Sequence, residues 1–209
     1  MKGYAMARRL NVLVTGASSG IGRATATEFA RQGHLVFAAA RREEVLAGLA
    51  AAAPNIQAVG LDVTDEGSVN RAWAKIDAAT GGAGVDVLVN CAGFALTGPV
   101  EILAGPAVQR QFATNIGEAA DANADAGAGQ EIPPAYADMA ARGSRYLAAQ
   151  IAKGIAADQV AATIVKAATQ PSPRLRYVVP NSARPLIALL TSLPGKLADR
   201  AKQRALAAT

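Results

Sequence analysis

Over the first 93 residues, short unbroken apolar runs alternate with longer stretches that mix apolar and polar positions. Residues 10–14 (LNVLV), 35–40 (LVFAAA), 56–61 (IQAVGL) and 85–89 (VDVLV) are rich in β-branched and small apolar residues, which predicts strands buried on both faces. Residues 20–32, 42–53 and 64–79 are of helical length and composition. Gly33 fits the position just past a helix end, Pro54 stops the second helix, and Thr64 of Thr64-Asp65-Glu66-Gly67 is the expected N-cap of the third. Strands alternating with helices predict an α/β fold with a doubly wound, Rossmann-like parallel sheet covered on both faces.

The second half has a different texture. Residues 118–130 (EAADANADAGAGQ) are small, polar and acidic without a period, so they read as loop or weak helix. Residues 132–153 and 157–168 are expected to be helical, and 175–179 (LRYVV) is the sole later strand candidate. Two terminal helices, 183–193 and 196–207, are separated by Pro194-Gly195. The expected organisation is a dinucleotide-binding half over 1–117, followed by a helical part over 118–209 that carries one strand and belongs to the same domain.

Composition narrows the function classes. Of 209 residues, 51% are hydrophobic and 18% charged, which excludes disorder as the default. Alanine supplies about half of the hydrophobic residues and aromatics are only 4%, so the core must be thin-walled and closely packed. The formal charge of +5 invites a nucleic-acid reading, but its distribution opposes one. Residues 1–173 carry 14 Lys/Arg against 15 Asp/Glu, and residues 174–209 carry 7 against Asp199 alone. The body has no basic patch and the tail no interleaved aromatics, so no nucleic-acid partner is expected. In that tail Leu186, Ile187, Leu189, Leu190 and Leu193 form an apolar helix face, followed by Lys196, Arg200, Lys202 and Arg204. Packing on the body with a solvated basic face is the favoured reading, and contact with an anionic membrane surface is the alternative. One cysteine and one histidine exclude a disulfide framework and a Cys- or His-based metal cluster. No apolar run approaches membrane-spanning length and the N-terminus lacks a signal-peptide layout, so a cytoplasmic protein is expected.

The candidate chemistry begins between the first strand and the first helix, at Thr15-Gly16-Ala17-Ser18-Ser19-Gly20-Ile21-Gly22. Gly16 permits a sharp turn off the strand, while Gly20 and Gly22 permit close approach of a pyrophosphate and of helix to strand. Backbone N–H groups at the helix start then face the anion. A tight glycine turn without a ligand is the competing reading.

The spacing TGxxxGIG, together with Leu61-Asp62-Val63, Asn90-Cys91-Ala92-Gly93, Phe112-Ala113-Thr114-Asn115 and the LRYVVP segment, resembles the short-chain dehydrogenase/reductase family. The resemblance is strong over about residues 8–117 and looser over about 155–205. It implies that Thr15, Gly16, Ser18, Ser19, Gly20, Ile21 and Gly22 cradle the pyrophosphate of a nicotinamide dinucleotide. It implies that Asp62 and Val63 hold adenine, and that Asn90, Ala92 and Gly93 form the family's NNAG-like segment with Cys91 in place of an Asn. Asn115 would be the Asn of the catalytic tetrad, holding a proton-relay water. The implied activity is alcohol/ketone hydride transfer on a small-molecule substrate, with the C-terminal part resembling members that act on steroid-, retinoid- or other lipid-like alcohols.

Charge then selects the cofactor. An NAD site places a carboxylate about 20 residues past the glycines. Here that corner reads Ala38-Ala39-Ala40-Arg41-Arg42, and Arg41 suits a 2′-phosphate through its fork of donors. NADP is favoured over NAD. Arg42 either joins Arg41 there or is a solvated residue at a helix start.

The family also needs a Tyr with a Lys four residues later, so that the ammonium lowers the phenol pKa from the same helix face. None of the four tyrosines has that lysine. Tyr4 is followed by Arg8, Tyr136 by Ala140, Tyr146 by Gln150 and Tyr177 by Asn181. Lys153 lies seven residues past Tyr146, about 10 Å along a helix, too far for a shared role. Ser144 sits in a polar turn and suits no catalytic serine role. The simplest account is an internal deletion between about residues 116 and 120 that removes two central strands and the helices of the family's dimer interface. A sheet truncated to four or five strands follows, the fifth strand being LRYVV if it closes on the fourth; otherwise the edge of VDVLV lies open. Catalysis is then expected to be absent or severely weakened. A nucleotide-binding pseudoenzyme or interaction module, or a non-functional deletion product, is the alternative. Among smaller signals, His34 reads as a satisfied surface or boundary histidine, Cys91 as a small buried residue with a reactive thiol as the lesser reading, and Trp73 as a helix anchor against the sheet.

Overall fold

A computed structural model of the chain describes residues 8–93, 141, 145, 154–185, 187 and 188. By contact it divides into two units, residues 1–169 and 170–209.

In the first unit the four apolar runs form β1 (Asn11–Thr15), β2 (Leu35–Ala40), β3 (Ile56–Gly60) and β4 (Val87–Asn90). They make one parallel sheet in the order β3-β2-β1-β4. The chain winds outward from β1 to β3 and then returns to place β4 on the other side of β1. This reversal of strand order opens a crevice at the carboxyl ends of β1 and β4, where open α/β sheets bind ligands.

Alternate residues of each strand feed two cores. On one face Val12, Val14, Val36 and Ala38 pack against Ala26, Phe29 and Ala30 of α1 (Gly20–Arg31), with Leu46, Leu49 and Val165 completing the cluster. Val165 belongs to α4 (Ala157–Thr169), which lies against α1. On the opposite face Leu13, Phe37, Ala39 and Val59 pack against Ala72 and Ile76 of α3 (Glu66–Thr80). Phe29 and Phe37, one per face, are fully buried and contribute about 2–3 kcal/mol each by removing their rings from water. The doubly wound expectation therefore holds for this unit.

Several local expectations need correction. The helix expected over 42–53 is a 3₁₀ turn, Glu43–Leu46, followed by a short α2 (Ala47–Ala52). The third helix is capped by Asp65, whose carboxylate accepts from the Gly67 amide, and Thr64 is not its N-cap. Thr64 donates both its N–H and its hydroxyl to Asp62 Oδ1, which turns it away from the helix start. Trp73 is 44% exposed and does not anchor α3 against the sheet; that role falls to Ala72 and Ile76.

His34 is buried, so the surface reading of it fails, although it is satisfied. Its Nδ1 accepts from the Leu10 amide at 3.3 Å and its ring lies against Phe29. Burial pulls its pKa below the ordinary value, because charging the ring inside this core is unfavourable. The unfolded chain therefore takes up the proton first as pH falls through about 6.5, and stability present above that pH is lost below it. The urea midpoint is expected to drop between pH 7.5 and 5.5, and His34→Gln to flatten that drop. An unchanged slope in the variant would assign the pH dependence elsewhere.

In the second unit, residues 175–179 form no strand, which corrects that expectation. The Tyr177 hydroxyl accepts from the Arg174 amide at 2.8 Å and from Gln170 Nε2, folding the segment onto itself, and Leu175 is fully exposed. Pro173 and Pro180 bracket the segment and supply no ladder donors. Among the described residues the fifth-strand closure is thus not seen and β4 is the last strand of the sheet, with Leu88 53% exposed. The helical stretches expected over 132–153 and 196–207 lie outside the described residues, apart from residues 141 and 145, which are helical. Of 183–193, residues 184, 185, 187 and 188 are described as helical, after a 3₁₀ turn at Asn181–Ala183. Among the described residues no helix is long and apolar enough to cross a membrane.

Candidate functional site

The crevice is held shut at its base by Thr15. This last residue of β1 is buried, and its hydroxyl accepts from the amides of Cys91 and Ala92, each at 3.1 Å. Thr15 is paired with Asn90 in the β1–β4 register, so one side chain ties the turn after β1 to the segment after β4.

Three glycines then do three different jobs. Gly16 takes a positive φ of 67°, and a Cβ there would stand 2.5 Å from the Cys91 carbonyl oxygen. It lets the two turns touch. Gly22 lies inside the first turn of α1, where a Cβ would stand 2.3 Å from the Gly16 carbonyl oxygen. It lets the helix sit on the turn. Gly20 also takes a positive φ, 52°, yet a Cβ there would meet nothing within 4 Å. Its backbone faces open space.

That opening lies at the N-terminus of α1. Ser19 is the extended N-cap residue and its side chain makes no capping bond. The first intrahelical bond runs from the Arg23 amide to the Ser19 carbonyl at 3.1 Å, so the amides of Gly20, Ile21 and Gly22 precede the helical ladder. The first turn carries no acidic residue. Ser18 and Ser19 are half-buried beside it, and the Ala17 amide donates to the Ala39 carbonyl at 3.0 Å, fixing the turn to β2. A positive dipole end whose first amides lie outside the helical ladder, with no acidic residue in its own first turn, suits a pyrophosphate.

Along the same rim, β3 leads into Leu61-Asp62-Val63. Asp62 and Val63 are half-buried, and the Asp62 amide donates to the buried Ser68 hydroxyl at 2.9 Å. Asp62 Oδ1 accepts from Thr64, which sets the carboxylate's orientation at the strand end. Arg41 and Arg42 follow β2 and are exposed, Arg42 being the extended N-cap residue of the 3₁₀ turn. Asn90, the last residue of β4, is exposed, and Ala92 and Gly93 beyond it are half-buried. The cradle, the Asp62 corner, the arginines and the Asn90 segment therefore share one edge of one sheet. Asn115 lies outside the described residues.

Between α3 and β4 runs a groove of about 140 Å³, lined by Leu13, Leu61, Val63, Trp73 and Leu88, with Thr15 and Asn90 at its rim end. Cys91 is half-buried, and burial pushes its thiol pKa up, so it is protonated at neutral pH and unsuited to the reactive-thiol reading.

Sequence reasoning missed Ser68 and Glu43. Glu43 accepts from the Gly60 amide at 3.0 Å and from Lys75 Nζ at 2.6 Å. Its partners lie 17 and 32 residues away, so no local spacing signals the contact.

Against known proteins, the family model described as short chain dehydrogenase matches residues 10–120. The chain is 39% identical over 107 residues to a serine 3-dehydrogenase of Agrobacterium fabrum, covering 50% of this chain and 42% of that protein. It is 34% identical over 105 residues to an NADPH-dependent 3-dehydrocapnine reductase of Ornithobacterium rhinotracheale, covering 50% and 37%. A crystal structure of a short-chain dehydrogenase from Streptomyces avermitilis is 39% identical, covers 52% of this chain and 40% of that one, and superposes with a TM-score of 0.48. The matched segment thus spans about two fifths of the length of these curated relatives.

Proposed function

The chain belongs to the short-chain dehydrogenase family, and on that premise we propose that it binds a nicotinamide dinucleotide, NADP in preference to NAD, with little or no catalytic turnover. Gly20 is the observation that carries this reading: a left-handed glycine facing open space at the uncapped start of α1 is a shape a phosphate fills and a Cβ would obstruct. The amides of Gly20, Ile21 and Gly22, with the hydroxyls of Ser18 and Ser19, would hold the pyrophosphate. Thr15 and Gly16 would shape the turn beneath it. Asp62 and Val63 would bind adenine, and Asn90, Ala92 and Gly93 would border the nicotinamide half.

When bound, the nicotinamide ring supplies hydride chemistry to an alcohol or carbonyl substrate, lipid-like in the proposed class. The protein's own share in such chemistry is to move a proton, and here it is deficient. No tyrosine in the chain has a lysine four residues on, so no phenol is lowered toward neutral pKa by an ammonium on its helix face. Asn115 is the proposed remnant of the proton relay. An internal deletion near residues 116–120 accounts for this loss, leaves 1–117 as the dinucleotide-binding half, and removes the family-type dimer interface. An assay of NADPH oxidation with aromatic and steroid-like ketones is expected to show no turnover above background. Measurable turnover would overturn the impairment.

The missing Tyr–Lys pair favours a second reading, a nucleotide-binding pseudoenzyme acting through interactions. NADPH binding without turnover supports it, and absence of binding favours a non-functional deletion product.

Cofactor preference is assigned to Arg41, with Arg42 beside it. Arg41→Ala is expected to lower the ratio of NADPH to NADH affinity by about tenfold, the scale of one charge-assisted contact to phosphate. A ratio unchanged in isothermal titration would refute the assignment.

A further inference from the structure

We propose that Glu43 is a positioning residue for cofactor selection, holding Arg41 and Arg42 across the carboxyl end of β3; this rests on the dinucleotide reading above. The two arginines are pinned on both sides. On one side Ala40 ends β2, is paired in register with Gly60, and accepts the Leu61 amide on its carbonyl at 2.9 Å. On the other side Glu43 Oε2 accepts from the Gly60 amide at 3.0 Å. Successive amides of a strand point to opposite sides, so the Leu61 amide faces β2 and the Gly60 amide faces the outer edge of β3. The chain from Ala40 to Glu43 must therefore pass over the end of β3, with Arg41 and Arg42 at the crest. Asp62 lies just beyond, on the same strand exit.

Glu43 Oε1 is bonded to Lys75 Nζ of α3 at 2.6 Å. The brace thus joins the turn after β2, the edge of β3 and the helix covering that face. Gly60 is matched to it, since a Cβ there would stand 3.2 Å from Glu43 Oε2. Lys75 also offsets a carboxylate that would otherwise stand uncompensated near an incoming phosphate.

Charge and position predict opposite signs, which makes the role testable. If Glu43 matters only as a negative charge near the phosphate, its removal raises preference for the 2′-phosphate. If it braces the arginines, Glu43→Ala lowers that preference, whereas Glu43→Gln, which keeps an acceptor for the Gly60 amide, retains most of it. The experiment is isothermal titration of the wild type, Glu43→Ala and Glu43→Gln with NADPH and with NADH. The expected result is a fall of about fivefold in the NADPH-to-NADH affinity ratio for Glu43→Ala, with NADH affinity unchanged and the Gln variant near wild type. A ratio unchanged or raised in Glu43→Ala overturns the proposal. Failure of the wild type to bind either dinucleotide overturns the functional reading itself. Amide exchange on the ligand-free protein tests the brace separately: Gly60 is expected to exchange about tenfold faster in Glu43→Ala and near the wild-type rate in Glu43→Gln. Equal Gly60 protection in all three proteins overturns it, whatever the cofactor result.

Discussion

Gly16→Ala is expected to destabilise the protein by about 3 kcal/mol and to abolish dinucleotide binding. Two independent costs meet at this position. The backbone has a φ of 67°, which a side chain adopts only with strain, and the added methyl would stand 2.5 Å from the Cys91 carbonyl oxygen. That oxygen is backbone, held in place because the Cys91 and Ala92 amides donate to Thr15, so it cannot simply swing aside. Relief requires β4 to separate from β1 at the carboxyl edge, where the cofactor is proposed to lie. Gly20→Ala is the control. It shares a positive φ but meets nothing within 4 Å, so it should cost only about 1 kcal/mol while still weakening NADPH binding. Urea denaturation of the two variants checks this. Equal stabilities would show that the contact between the two turns is not what requires glycine at position 16.

Thr15→Val carries the second large effect, a loss of about 2 kcal/mol with little change in side-chain volume. One buried hydroxyl serves two backbone donors, and valine fills its space while satisfying neither. The Cys91 and Ala92 amides are half-buried, so water recovers part of the penalty. Loosening should be local to Asn90–Gly93, with faster amide exchange there and weaker NADPH binding. Thr15→Ser keeps the acceptor and should behave much like the wild type. Because Thr15 and Gly16 share the Cys91 contact, their double variant should lose less than the two single losses combined.

The strands β1 and β2 are legible in the sequence because parallel strands covered on both faces leave short, nearly unbroken apolar runs. LVFAAA became β2 over its full length. The glycine turn between β1 and α1 is legible because its spacing reports local backbone geometry. What sequence could not assign was the division of labour among the glycines, since it depends on where the Cys91 carbonyl lies, 75 residues away from Gly16. Composition alone does not separate Thr64 from Asp65 as N-cap, since both are good caps; Asp62 decides between them by drawing Thr64 to itself. Trp73 departs from its expected anchoring role because helical spacing gives a face but not what covers it; the groove it shares with Leu88 stays open among the described residues. LRYVV has the composition of a strand, but the Tyr177 hydroxyl captures the Arg174 amide and leaves Leu175 in solvent. Glu43 was silent because its meaning comes from long-range contacts with Gly60 and Lys75.

We propose above that the turn after β1 and the start of α1 hold a dinucleotide pyrophosphate. The most direct measurement is a fluorescence titration of the wild-type chain with NADPH, repeated with NADH and with Gly20→Ala. Saturable enhancement with a micromolar-range Kd (roughly 8 kcal/mol of binding) is expected, with weaker binding of NADH and a marked loss of affinity in Gly20→Ala at a stability cost of only about 1 kcal/mol. A folded wild-type chain that binds neither dinucleotide, or a Gly20→Ala variant that binds NADPH as well as the wild type, would contradict it.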